Sequence, residues 1–139
     1  MTENGRAVKR IVSVRNEGRG QSVFSHREVE LAGTAERMLS EQLPAVNFRL
    51  RESDASYASG FHVADDPTLL IVLSGTLRIV LRNGESRDFS AGEMFVAEDY
   101  LAVGEVFDDA VHGHRAEVVS DVPLSALHLK LESLKIEPR

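Results

Sequence analysis

The chain has 139 residues, 42% of them hydrophobic, which suits a single domain over residues 1–139 burying about two thirds of its unfolded surface. It has no cysteine, which excludes disulfides, thiolate metal sites and cysteine nucleophiles. The net charge is −6 with no basic stripe, so no nucleic-acid partner is expected.

The first ten residues are polar, and no apolar run approaches the ~20 residues of a membrane span, so a cytoplasmic protein without a membrane partner is expected. Residues 1–8 read as a flexible N-terminus. The stretch 10–15 (RIVSVR) alternates weakly, and 22–26 (SVFSH), continued by 28–31, is a second strand candidate. Residues 34–42 are the one helix candidate; Leu39 and Leu43 lie four apart, and Pro44 ends the stretch. Residues 45–52 (AVNFRLRE) alternate cleanly, with Val46, Phe48 and Leu50 on one face and Asn47, Arg49 and Arg51 on the other.

A turn-rich loop, SDASYASGF, leads to the stretch that organises the chain, residues 69–99. Within it LLIVLSG, TLRIVLR and ESRDFSAGEMFVAED are three strands on tight connections, an antiparallel meander. Asn83-Gly84 is a strong hairpin signal because both residues tolerate positive φ. Residues 69–73 are apolar on both faces, as expected of a strand covered on two sides by a second sheet or a second subunit. This covering motivates a homodimer. The segment 100–115 is a long connection, and 98–121 carries seven acidic groups against one arginine. Strands at 116–119 and 125–131 close the chain; His128 alternates with Leu127 and Leu129 and reads as a surface residue. Eight to ten short strands with regular turn signals predict an all-β sandwich or barrel.

Strand, Gly75, strand, Asn83-Gly84-Glu85, strand, then Ala91-Gly92-Glu93, with His62 upstream, resembles a small single-domain bacterial cupin. Further matching pieces run in order along the chain: Arg10-Ile-Val, Gly20-Gln-Ser-Val-Phe24, Leu43-Pro-Ala45, Arg51-Glu52, Leu73-Ser-Gly75, Phe89-Ser-Ala-Gly-Glu93, Glu98-Asp99 and Gly113-His114. The resemblance implies a cupin-type jelly-roll β-barrel. It also implies that residues 38–42 run extended instead of helical.

Many cupins hold iron, manganese, nickel or zinc on three histidines and a glutamate. Anchored on Gly75, the first cupin motif places one histidine on His62, the second on Ala64 and the glutamate on Thr68. Anchored on Gly92, the second motif falls on Glu98, Tyr100 and Val103. Both motifs are therefore degenerate. His112 and His114 arrive about ten residues late, and His-x-His on a strand would aim both rings to one face. A divalent-metal site on His62, His112 and His114 is one expectation; a solvated loop end at VHGHR is the other.

Arg49 and Arg51 could clamp a carboxylate or phosphate, whereas Arg78 and Arg82 read as a solvated sheet face. Tyr57, Phe61, Phe95, Tyr100 and Phe107 sit near one barrel end and either line a pocket or plug the core. Acidic pairs at Asp65-Asp66, Glu98-Asp99 and Asp108-Asp109 are candidate proton-transfer groups or plain surface charge. The expectation is a small-molecule enzyme acting on an organic acid or natural-product intermediate by lyase, isomerase or cyclase chemistry. Its catalytic candidates are His62, Glu98 and Asp99, and its ligand-binding candidates are Arg49, Arg51, Tyr57, Phe61 and Tyr100. The alternatives are a non-catalytic binding or sensor module and a structural protein docking through its acidic segment.

Overall fold

The structure, a computed structural model, describes residues 5–18, 20–132 and 137–138. It is all-β, with strands β1 (Gly5–Asn16), β2 (Ser22–Thr34), β3 (Arg37–Leu39), β4 (Ala45–Ser53), β5 (Thr68–Ser74), β6 (Leu77–Leu81), β7 (Ser86–Phe89), β8 (Met94–Glu98), β9 (His114–Val118), β10 (Leu124–Leu131) and β11 (Glu137–Pro138). The larger sheet has the order β11-β2-β1-β8-β5-β10-β4, with β3 hairpinned onto β2; the smaller is β7-β6-β9. β1 and β8 are parallel. Among the described residues no ladder joins the two sheets into a closed barrel.

The helix expected at 34–42 is not formed. Residues 35 and 36 are a turn, and β3 folds back with Thr34 opposite Arg37 and Ala32 opposite Leu39. A stretch this short gains little from helix propensity, and pairing to an existing strand satisfies its backbone instead. Part of the stretch expected as a flexible N-terminus is strand. Residues 5–8 belong to β1, which pairs with β2 along its whole length, from Gly5 opposite Gly33 to Asn16 opposite Ser22. Residues 1–4 lie outside the described residues.

Of the meander expected over 69–99 only the β6–β7 hairpin forms. β5 crosses to the larger sheet, where it pairs with β8 and β10, and the third stretch splits into β7 and β8 in different sheets, because the chain alternates between the two layers that enclose the core. The Asn83-Gly84 turn differs in detail: only Gly84 takes positive φ (90°), the Gly84 N–H donates to Leu81 O, and the Leu81 N–H donates to Glu85 O. That is a type I turn closed by a left-handed glycine, the usual solution for a hairpin loop longer than two residues.

The core lies between the sheets. Val14, Leu70, Val72, Phe95, Leu124 and Ala126 of the larger sheet meet Leu77, Ile79, Leu81, Phe89, Ala116 and Val118. The strand alternation of β6 holds, with Leu77, Ile79 and Leu81 all buried. β4 and β10 turn the other way from hydropathy. Val46, Phe48 and Leu50 are 62%, 67% and 69% exposed. On β10 it is Ala126, His128 and Lys130 that face inward, with Ala126 fully buried and the other two lining the interior cavity. The surface reading of His128 is thereby corrected. Leu127 and Leu129 share the outward face with Leu50 and Phe48, their register partners. β4 is the sheet's edge, and among the described residues its apolar face stays exposed.

Candidate functional site

A cavity of about 230 Å³ opens between the sheets, lined by Leu70, Leu77, Ile79, Phe95, Ala97 and Ala116 and by the polar groups Arg51, His62, Asp65, Thr68, His114, His128 and Lys130. At ~30 Å³ per water it has room for about eight waters, hence for a ligand on the order of ten non-hydrogen atoms.

Asp99 immediately follows β8 of the larger sheet, and His114 opens β9 of the smaller one. Their side chains meet: His114 Nδ1 lies 2.6 Å from Asp99 Oδ2. The carboxylate is 1% exposed and accepts further bonds from Ser22 Oγ at 2.5 Å and from the Ala64 N–H at 3.0 Å. Burial by itself would raise the Asp99 pKa, but the His114 hydrogen bond and charge, with the Ser22 and Ala64 bonds, outweigh it and hold the group below its ordinary value. An ionised Asp99 keeps the proton on Nδ1, so Nε2 of a neutral His114 is the acceptor.

His62 sits beside this pair, its ring centroid 4.7 Å from that of His114. The two backbones bridge, His62 N–H to His114 O at 2.8 Å and His114 N–H to His62 O at 2.9 Å. His62 Nδ1 lies 3.1 Å from Gly60 O. Its pKa is lowered by burial and by the His114 charge, against the raising effects of the Gly60 carbonyl and Asp99. Burial also lowers the His128 pKa, assisted by Arg51, Arg49 and Lys130.

The bridge depends on Gly113, which has φ 93°; a Cβ there would lie 2.5 Å from His62 O. Gly113→Ala is therefore expected to cost about 1–3 kcal/mol in backbone strain and to separate the two rings. Urea unfolding reads the first effect, and the His62 and His114 ring resonances read the second. A variant of wild-type stability with unshifted resonances contradicts the prediction.

The depressed histidines set a pH dependence. His62 and His128 are neutral in the fold at pH values where the unfolded chain, titrating near 6.5, takes up protons. The unfolded state then binds more protons, so stability falls as pH drops below about 7. The loss ends once pH passes the lower folded-state values. Melting temperature in carboxylate-free buffer is expected to fall across this window, and to fall less in His62→Gln/His128→Gln. An unchanged slope in that variant refutes the assignment. Asp99 adds a separate loss at more acidic pH, as pH falls through its lowered value.

Of the other sequence candidates, Arg51 lines the cavity, with Nε bonded to Ser53 Oγ at 2.9 Å and its guanidinium 4.8 Å from the Tyr57 ring centroid. Arg49 remains exposed. Phe61 is capped by Arg82, 3.7 Å from its centroid. Phe95 is core, and Phe107 packs near His112, their centroids 5.9 Å apart. Glu98 is not at the cavity. It lies on the opposite face of β8, bonded to Ser13 Oγ at 2.5 Å and bidentately to Arg27. Tyr100 lines a separate cleft with Arg15, Arg27 and Glu98.

His112 is also elsewhere. Its Nδ1 accepts the Asp108 N–H at 2.8 Å, and Nε2 lies 3.3 Å from Glu105 Oε2, pinning the 100–113 loop to itself. The strand begins only at His114, and Gly113 turns the chain between them, so the same-face rule for His-x-His has no strand to act on. The three proposed metal ligands are thus two neighbours and an outlier. Among the described residues no group of three or more His, Asp or Glu side chains could hold a metal ion. Asp99, the nearest carboxylate, is already engaged by three donors.

Sequence reasoning did not single out Ser22, His128 or Lys130. The alternation of His128 and Lys130 with leucines was visible, but hydropathy assigned the leucines inward.

No family model matches the chain, and no curated protein matches it. Among solved structures it is similar to protein NMB1881 from Neisseria meningitidis, at 21% identity and a TM-score of 0.45 over 66% of this chain and 84% of that one. It is also similar to the conserved SPY1581 protein of unknown function from Streptococcus pyogenes, at 16% identity and a TM-score of 0.47 over 72% of this chain and 78% of that one.

Proposed function

We propose that the chain is a cupin-like jelly roll whose interior cavity holds a small organic acid, and that His114 moves a proton on it. The observation that carries this reading is the buried Asp99–His114 hydrogen bond in a ring that also lines the cavity. Asp99 positions the imidazole and favours its Nε2 as base; His62, 4.7 Å away between ring centroids, is a second group able to return a proton. A proton passes from a ligand carbon to Nε2, and the electron pair left behind either shifts the double bond or expels a leaving group. These outcomes are isomerase and lyase chemistry.

The test is incubation with a panel of short carboxylic acids in D2O, followed by proton NMR. Wild-type protein is expected to exchange or convert at least one acid, and His114→Ala to convert none. Binding without exchange or conversion across the panel overturns the enzyme reading in favour of a binding or sensor module. That second reading is supported by the metal set, which stops at His62 and His114.

A homodimer fits the same chain. The exposed face of Val46, Phe48 and Leu50 is continuous with Leu127 and Leu129, and a second copy would cover it. Light scattering is expected to give twice the 15.3 kDa chain mass, and Phe48→Glu/Leu50→Glu to give the single mass. A monomeric wild-type protein refutes the dimer.

A further inference from the structure

The interior of this acidic protein is basic. Arg51 reaches the cavity from β4, and His128 and Lys130 reach it from the adjacent β10, inside a chain of net charge −6. Arg51 is held by Ser53 and by stacking near Tyr57, which engages Nε and leaves its Nη groups without a bond among the described residues. Lys130 Nζ stands 3.9 Å from Asp66, an exposed carboxylate beyond hydrogen-bond distance. His128 Nε2 is buried and has no hydrogen-bond partner among the described residues. A buried polar nitrogen left unpaired costs free energy, and a ligand acceptor would recover it.

We propose that Arg51, His128 and Lys130 form one seat for a carboxylate group of the ligand, with His128 donating from Nε2. This deepens the organic-acid reading above and rests on it for the kind of ligand. Arg51 supplies a fork matched to a carboxylate, Lys130 a point charge, and His128 a directed N–H. The charged groups around His128 are Arg49 and Arg51 on β4 and Lys130 on its own strand. Thr68 and Leu70 on β5 add no charge, and His62, His114 and Asp65 also line the cavity. Burial first, and then the charges of Arg51, Arg49 and Lys130, lower the His128 pKa in the free protein; an anion in the seat opposes that shift and favours a proton on the ring. Carboxylate binding is therefore coupled to proton uptake and strengthens as pH falls from neutral.

Titration calorimetry with acetate, malonate and succinate tests the seat, with propionamide as an uncharged probe. At least one acid is expected to bind the wild-type protein and propionamide is not. Arg51→Gln and His128→Ala are each expected to weaken binding ~10–100-fold, the usual loss for a charge-assisted hydrogen bond. Arg51→Lys is expected to recover part of it, and Arg78→Gln, on the solvent face, to change nothing. Repeating the titration in two buffers of different ionisation heat reads the proton uptake, which His128→Gln should abolish. No acid binding to the wild-type protein overturns the seat, as does wild-type affinity in both Arg51→Gln and His128→Ala. His114→Ala separates the two proposals: acid binding that still falls when Arg51→Gln or His128→Ala is combined with it, in a variant that exchanges nothing, shows the seat to be independent of the proton transfer. Acid binding that depends on the seat, in a wild-type protein that exchanges nothing, leaves the seat standing and removes the proton-transfer reading.

Discussion

Arg27→Ala is expected to destabilise the protein by about 3–5 kcal/mol, because it leaves a buried carboxylate without its counter-charge. Glu98 and Arg27 side chains are 3% and 9% exposed and form a two-pronged ion pair that spans β8 and β2. Ser13, on β1 between them, donates to the same carboxylate and is itself fully buried. The pair therefore ties three neighbouring strands together from their outer face. Removing both charges in Arg27→Met/Glu98→Leu should cost less than Arg27→Ala, since the penalty comes mainly from the orphaned charge. Urea unfolding of the two variants decides it. A loss below ~1 kcal/mol in Arg27→Ala, the level of exposed pairs, would show that water reaches Glu98.

Asp99→Asn is expected to leave the fold intact and reverse the hydrogen-bonding sense of His114. The amide keeps an acceptor for the Ala64 N–H, now 3.0 Å from Oδ1, but presents an NH2 group to His114 Nδ1. Nδ1 then accepts, the proton moves to Nε2, and the cavity loses its base. Any proton abstraction by His114 should fall about 10²–10⁴-fold, the range supplied by a positioned base. Nitrogen-15 shifts of the imidazole report the tautomer directly, and a merely structural role for Asp99 would not move them. An unchanged tautomer in a folded Asp99→Asn protein removes Asp99 from the mechanism.

Glu98 and Asp99 show how far the site could be read in advance. Both were visible as an acidic pair after a strand, and nothing in their order separated them. In the fold they lie one residue apart on opposite sides of the sheet: Glu98 is an outer-face tie and Asp99 an inner-face anchor. His112 and His114 behave the same way. Their spacing suited a strand, but the strand starts at the second, and positive φ at Gly113 sends the first into the loop. The seat residues His128 and Lys130 were hidden for a different reason. Their strand pattern is correct, but hydropathy is a poor guide where one face lines a polar cavity and the other is an apolar surface.

The amino-acid order by itself determined the local events. Alternation, Gly75, Gly84 and Gly92, and the apolar run of β5 specify strands and tight turns, because each rests on φ preference and side-chain period within a few residues. The all-β class and the β6–β7 hairpin follow from them, whereas the division of the 69–99 strands between two sheets does not. The tertiary structure alone decided which face of β4 and β10 points inward, that residues 34–42 pair as a hairpin, and that Asp99, His62 and His114 meet while His112 does not. Period-two alternation says which residues share a face, never which face is covered. That choice depends on the layer packed opposite, here β6, β7 and β9, and such long-range packing leaves no signature in a single strand's own sequence.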